Sequence, residues 1–177
     1  MFHKILVAID RSAMNRTVFS QALDLAKATG ATLIILNVLC PTDEGSPTMP
    51  VLLGHDFYPG GLSTSVIEIY QELWQDYTEE GLKLLRSFEQ QATAAGVPVE
   101  FTQNAGSPGR VICDVARNLS ADLIVLGRRG FSGLNELIMG SVSNYVLHHA
   151  PCSVLAVHCQ TRQTAQDVEE QQLVSAS

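Results

Sequence analysis

Gly127, Gly130, Gly140 and Ser141 are spaced so that they can hold an anion. Two residues separate the first two glycines, and nine separate the second from the third. Glycines let backbone N–H groups approach a ligand with no Cβ in the way, and a helix start adds unpaired N–H groups carrying roughly +0.5 charge. The surrounding stretch, Leu123–Val142, reads LIVLGRRGFSGLNELIMGSV. This pattern predicts a buried strand, a glycine turn, a longer loop, and a glycine–serine step onto a helix. The chemistry such a turn serves is the holding of phosphate. Ser141 has two readings: an N-cap that accepts from the helix backbone, or a hydroxyl that donates to a phosphate oxygen. Arg128 and Arg129 lie in the same loop, either within reach of phosphate or as a solvated pair.

Asp10 is the one carboxylate that the pattern places nearby. It ends the apolar run Ile5–Ile9 within HKILVAID, at the carboxyl end of a strand, where open α/β sheets gather ligands. It can accept from a ribose hydroxyl or form an Asx turn into the next helix, and the two roles can coexist. The glycine stretch lacks the lysine of GxxxxGK[ST]. It also departs from GxGxxG, because Gly127, Gly130 and Gly133 are each three apart.

The elements that must position these residues alternate between strand and helix. A helix over about Ala13–Thr29, with Ser12 as N-cap, follows the first strand and stops at Gly30. The β-branched run Ala31–Leu39 is a second strand, so the chain opens as a right-handed parallel crossover. Periodicity then lapses from Cys40 to Ser63, a loop longer than the roughly 12–15 residues usual in compact domains. That loop is a lid over a ligand or an insertion, and Met49, Val51, Leu52, Leu53, Phe57 and Tyr58 make it apolar. A long helix over about Ser65–Ala95 carries an aromatic stripe suited to core or dimer contact, and Gly81 marks a bend or break in it. Val97–Gln103 reads as a third strand. Ser107 and Pro108 start a third helix over about Gly109–Leu119. The glycine stretch, a fourth helix over Val142–Ala150 and a last strand, Ser153–Val157, complete the pattern. Residues 160–177 read as a polar, mobile tail.

Composition narrows the classes. With 46% hydrophobic and 16% charged residues, the 177-residue chain has the makeup of one globular domain. A net charge of −7 leaves no basic footprint for duplex nucleic acid or an anionic membrane. No apolar run approaches the roughly 20 residues needed to span a bilayer. The opening Met1-Phe2-His3-Lys4 has no signal-peptide pattern, so the expected compartment is the cytoplasm. The four cysteines, Cys40, Cys113, Cys152 and Cys159, form no CxxC pair. Cys113 and Cys152 sit in apolar runs as buried, reduced thiols. His148 and His149 are adjacent and offer no metal set.

On these motifs the chain resembles the universal stress protein family, specifically its nucleotide-binding branch. Gly127, Gly130, Gly140 and Ser141 match that branch's glycine motif. ILVAIDRS, LNVL, GSPGRVICDVA, ADLIVLGRRG and GSVSNYVLHHAPCSVLAV follow in family order to about residue 158. The resemblance implies a Rossmann-like α/β sandwich over residues 1–159, with a five-stranded parallel sheet in the order 3-2-1-4-5. It implies ATP, ADP or AMP as ligand, with magnesium accompanying ATP. Gly127 and Asp10 would line the ribose, and Gly130, Gly140, Ser141, Val142 and Ser143 would hold phosphates. Val38 would offer backbone groups to adenine, with Ala8 and Ile9 nearby, and Arg128 would reach phosphate. The resemblance also implies a homodimer paired through Ser153, Val154, Leu155, Ala156 and Val157. An open edge strand needs such cover, and self-pairing closes at two copies.

Three functions follow. The first is a dimeric stress-response regulator or switch that binds adenine nucleotide and hydrolyses it slowly, if at all, because no general base or carboxylate set stands beside the cradle. The second is an interaction module with a structural glycine loop and an unknown protein partner. The third is a nucleotidyl-transferring or flavin-linked enzyme, for which only the Cys40–Ser63 insertion leaves room.

Overall fold

The computed structural model describes residues 1–43, 45–48, 64–128 and 140–158. Gly130, Arg129, Cys159, most of the Cys40–Ser63 loop and the 160–177 tail therefore lie outside the described residues. Five strands and four helices alternate: β1 (Lys4–Ile9), α1 (Asn15–Thr29), β2 (Thr32–Leu39), α2 (Thr64–Ala94), β3 (Val99–Ala105), α3 (Pro108–Asn118), β4 (Leu123–Arg128), α4 (Ser141–His149) and β5 (Ser153–His158). The strands form one parallel sheet in the order β3-β2-β1-β4-β5. This is the Rossmann-like order that the family resemblance implies.

The apolar runs of β1, β2 and β4 are continuous because helices cover both faces of the sheet. Alternate residues divide between two cores. Ile5, Val7, Ile9, Leu33 and Ile35 pack with Phe19 of α1 and with Leu85 and Phe88 of α2. The Phe19 and Phe88 ring centroids lie 4.3 Å apart. Leu6, Ile34, Leu36, Ile124 and Leu126 face the other way, against Ile112 and Ala116 of α3 and Val146 of α4.

Helix ends explain where boundaries differ from the pattern. The third strand begins at Val99 rather than Val97 because Val97 closes the preceding helix. Its N–H reaches the Ala92 carbonyl at 3.0 Å, while Gly96, at φ +74°, donates to Thr93 at 2.9 Å. Only a residue at ease in the left-handed region makes that stop. Gly81 does not interrupt α2, which runs unbroken for 31 residues. Its missing Cβ makes room for the sheet: a Cβ there would overlap the Gln103 amide nitrogen and come within 2.9 Å of Asn37 Oδ1.

The N-terminal end of the sheet is tied by one carboxylate. Asp122 Oδ2 accepts from the backbone N–H groups of His3 at 2.7 Å and Lys4 at 2.8 Å. These bonds draw its carboxyl below the ordinary value. Cys113 is buried and Cys152 half-buried, and burial pushes both thiols up.

Candidate functional site

The carboxyl ends of β1, β2 and β4 and the start of α4 enclose a cavity of about 740 Å³. That size falls in the range of roughly 300–1,000 Å³ typical of small-molecule sites. It opens where the strand order reverses, between β1 and β4, the expected place for a ligand in an open α/β sheet. Ala8, Asp10, Val38, Gly127, Gly140, Ser141, Val142 and Ser143 all line it. Residues far apart in sequence are thus brought to one wall-and-floor arrangement. Arg128 is not in the lining. It is the last residue of β4, half-buried and in register with His158.

Asp10 forms the Asx turn. Its Oδ1 accepts from the Ser12 backbone N–H at 3.1 Å and the Ser12 hydroxyl at 2.5 Å. Ser12 is not the N-cap of α1. That position falls to Met14, and the helix starts at Asn15. Residues 11–14 form a bend and turn ahead of the helix, with the Asn15 N–H donating to the Ser12 carbonyl at 3.2 Å, so Ser12 stands too early in the chain to cap it.

Gly127 is a strand residue rather than part of a turn, since β4 continues through Arg128. A Cβ at Gly127 would sit 3.1 Å from Val18 Cγ2, facing α1. The glycine thus lets the strand end approach α1 closely.

The N-cap of α4 is Gly140, and Ser141 is the first helical residue. The expected cap at Ser141 is displaced by one because Gly140, at φ −59° and ψ 153°, already has the extended cap conformation. Gly140 offers no side-chain acceptor, so the first-turn N–H groups of Ser141, Val142 and Ser143 have no capping oxygen competing for them. The Ser143 hydroxyl is buried and donates to the Gly140 carbonyl at 3.0 Å. What Ser143 offers the cavity is therefore backbone.

Several lining residues had no motif to announce them. Cys40, Pro41, Thr42 and Asp43 continue the wall beyond β2, and Gly109 and Tyr145 close it where α3 meets α4. Behind the floor, Asn37 is 4% exposed and bonded to Ile9 and Gln103. A lone amide inside TLIILNVL is the signal that could have found it. Arg11 pairs with Glu80 of α2 and lies over the Tyr77 ring, 4.8 Å from its centroid. Burial, reinforced by Asp43, raises the Tyr77 hydroxyl above its usual range. Among the described lining residues the charges are the carboxylates Asp10 and Asp43, with no Lys or Arg. The groups suited to an anion, among the described lining residues, are the N–H groups at the start of α4. Among the described residues, no group of three or more His, Cys, Asp or Glu could hold a metal ion. Nor is any helix long and apolar enough to cross a membrane.

The model of the universal stress protein family matches residues 1–158. Universal stress protein Sll1388 of Synechocystis is 39% identical over 156 residues, covering 88% of this chain and 97% of its own. A universal stress protein solved in complex with cAMP shares the fold at TM-score 0.58 and 24% identity, covering 89% of this chain and 97% of that one. A universal stress protein family protein from Arabidopsis thaliana, solved with AMP bound, does so at TM-score 0.57 and 20% identity, covering 92% and 95%.

Proposed function

The chain belongs to the universal stress protein family, and on that premise we propose that it is a cytoplasmic, dimeric, adenine-nucleotide-binding regulator of the stress response. The observation that carries this reading is the convergence of Asp10, Val38, Gly127 and the Gly140–Ser143 helix start on one cavity. Its chemistry suits a nucleotide. Apolar Ala8, Val38 and Leu126 suit a base, Asp10 suits a ribose hydroxyl, and an α-helix start capped only by glycine suits phosphate. The AMP and cAMP complexes of two structural neighbours support the same ligand class.

In this reading Val38 presents backbone groups to adenine, and Asp10 and Gly127 line the ribose. Gly140, Ser141, Val142 and Ser143 hold phosphates through N–H groups, joined by Gly130. Magnesium, where ATP is bound, is carried by the phosphates. The site holds nucleotide rather than spending it, and hydrolysis is at most slow. The homodimer forms by isologous pairing of β5, whose Val154, Leu155 and Ala156 are half-buried on a sheet edge.

Isothermal titration of the purified protein with ATP and with AMP tests the proposal, alongside light scattering for the dimer. Saturable heat with either nucleotide is expected. No heat with either would overturn the binding role and favour an interaction module with a structural glycine loop.

A further inference from the structure

Behind the cavity the sheet carries a polar pair in otherwise apolar packing. Asn37 shares the sheet face of Leu33 and Ile35, which pack against α1 and α2, whereas Leu36 and Val38 face the opposite core. Its amide is not among the groups that line the larger cavity. Its Nδ2 donates to the Ile9 carbonyl at 3.0 Å. Its Oδ1 accepts from Gln103 Nε2 at 3.0 Å, and that nitrogen also donates to the Thr78 carbonyl of α2 at 3.2 Å. A buried amide is costly unless bonded, and a bonded network fixes orientation.

The position of the first bond matters. Ile9 and Asn37 form the last pair between β1 and β2. The chain then turns at Asp10, and the Ile9 carbonyl belongs to the peptide that carries the Asp10 nitrogen. A peptide is planar, so holding that carbonyl orients the backbone on which the Asp10 carboxylate stands. A small cavity of about 110 Å³ touches Asp10, Asn37 and Tyr77 together, so amide and carboxylate are close neighbours. Gly81 lets α2 press directly on the amide pair.

We propose that Asn37, held by Gln103, is a positioning residue that aims Asp10 at the ribose from the rear of the sheet. The inference rests on the cavity being an adenine-nucleotide site with Asp10 at the sugar, and it adds residues that set sugar discrimination without touching the ligand.

The test is the ratio of affinities for ATP and 2′,3′-dideoxy-ATP, measured by titration calorimetry. The wild type should prefer ATP by about tenfold, the worth of one charge-assisted hydrogen bond. Asn37→Leu should bring the ratio close to one, as should Asp10→Ala, while binding the dideoxy analogue within about twofold of wild type. Adding Asn37→Leu to Asp10→Ala should cost no further discrimination. Gln103→Met, which leaves Asn37 in place but releases it, should lower the ratio in the same direction, and it decides the matter if Asn37→Leu does not fold. Equal weakening of both analogues, with the ratio kept, would show a purely structural role and overturn the inference. Failure of the wild type itself to bind ATP, or to discriminate, would instead overturn the site reading or the place of Asp10 in it.

Discussion

Gly109 in the first turn of α3 lies flat against Tyr145 of α4, so close that a Cβ on the glycine would stand 2.7 Å from the ring's Cδ1. Both residues line the cavity. The ring also stacks on His149, with centroids 4.0 Å apart and planes 9° apart. Gly109→Ala should therefore push α3 and α4 apart and destabilise the protein by about 1–3 kcal/mol, the usual cost of overpacking. Urea unfolding measures this. A variant as stable as wild type would mean the two helices separate without cost.

Gly81→Ala sets two effects against each other. In a helix interior the change ordinarily gains about 0.5–1 kcal/mol. Here the new methyl would overlap the Gln103 amide and crowd Asn37. Overpacking of about 1–3 kcal/mol outweighs the propensity gain, so the variant should be less stable. A rise in urea midpoint would contradict the close contact.

Acid sensitivity has one identifiable source at Asp122. Its folded-state carboxyl lies below the ordinary value because the His3 and Lys4 N–H groups bond the charged form. A group of that sign stabilises fully above its unfolded value, about 3.9, and loses the contribution as pH falls through the folded value. Asp122→Asn should thus be less stable than wild type at neutral pH, with the gap closing below about pH 4. Paired urea titrations at neutral pH and near pH 3 check it. A gap unchanged by pH would rule the carboxylate out as its cause.

Cys113 should be slow to alkylate. It is 3% exposed, and burial raises its thiol, so the native protein presents little thiolate there. Mass-resolved iodoacetamide labelling at Cys113 should run at least about tenfold slower in buffer than in urea. Equal rates would show that the core around α3 opens readily.

The strands themselves are legible in the sequence from its apolar runs, whereas the sheet order and the residues at the cavity come from the resemblance to the universal stress protein family. Ile5–Ile9, Leu33–Leu36 and Leu123–Leu126 read as strands buried on two faces from their length and apolar content, and ligands gather at the carboxyl ends of such strands. What escaped depends on contacts between distant segments. Periodicity placed Asn37 in a strand but not opposite Ile9 and Gln103. The same blindness made Gly81 look like a breaker, when its missing Cβ serves the approach of α2. A cap preference marks Ser12 but says nothing of the turn over residues 11–14 that delays the helix to Asn15. Tyr145 joined the site through its packing on Gly109, for which no local pattern exists.

Gly140→Asp is the most direct test of the nucleotide-holding role. At φ −59° and ψ 153° the position accepts any residue, and aspartate is among the best N-caps, so α4 and the fold should be unharmed. The same carboxylate would occupy the first-turn N–H groups and place negative charge where phosphate is to sit. Calorimetric titration with ATP, wild type beside variant, should show affinity falling by at least about thirtyfold, some 2 kcal/mol, with the thermal midpoint unchanged or slightly raised. Unchanged ATP affinity in a folded variant would mean that the α4 start does not hold the phosphates.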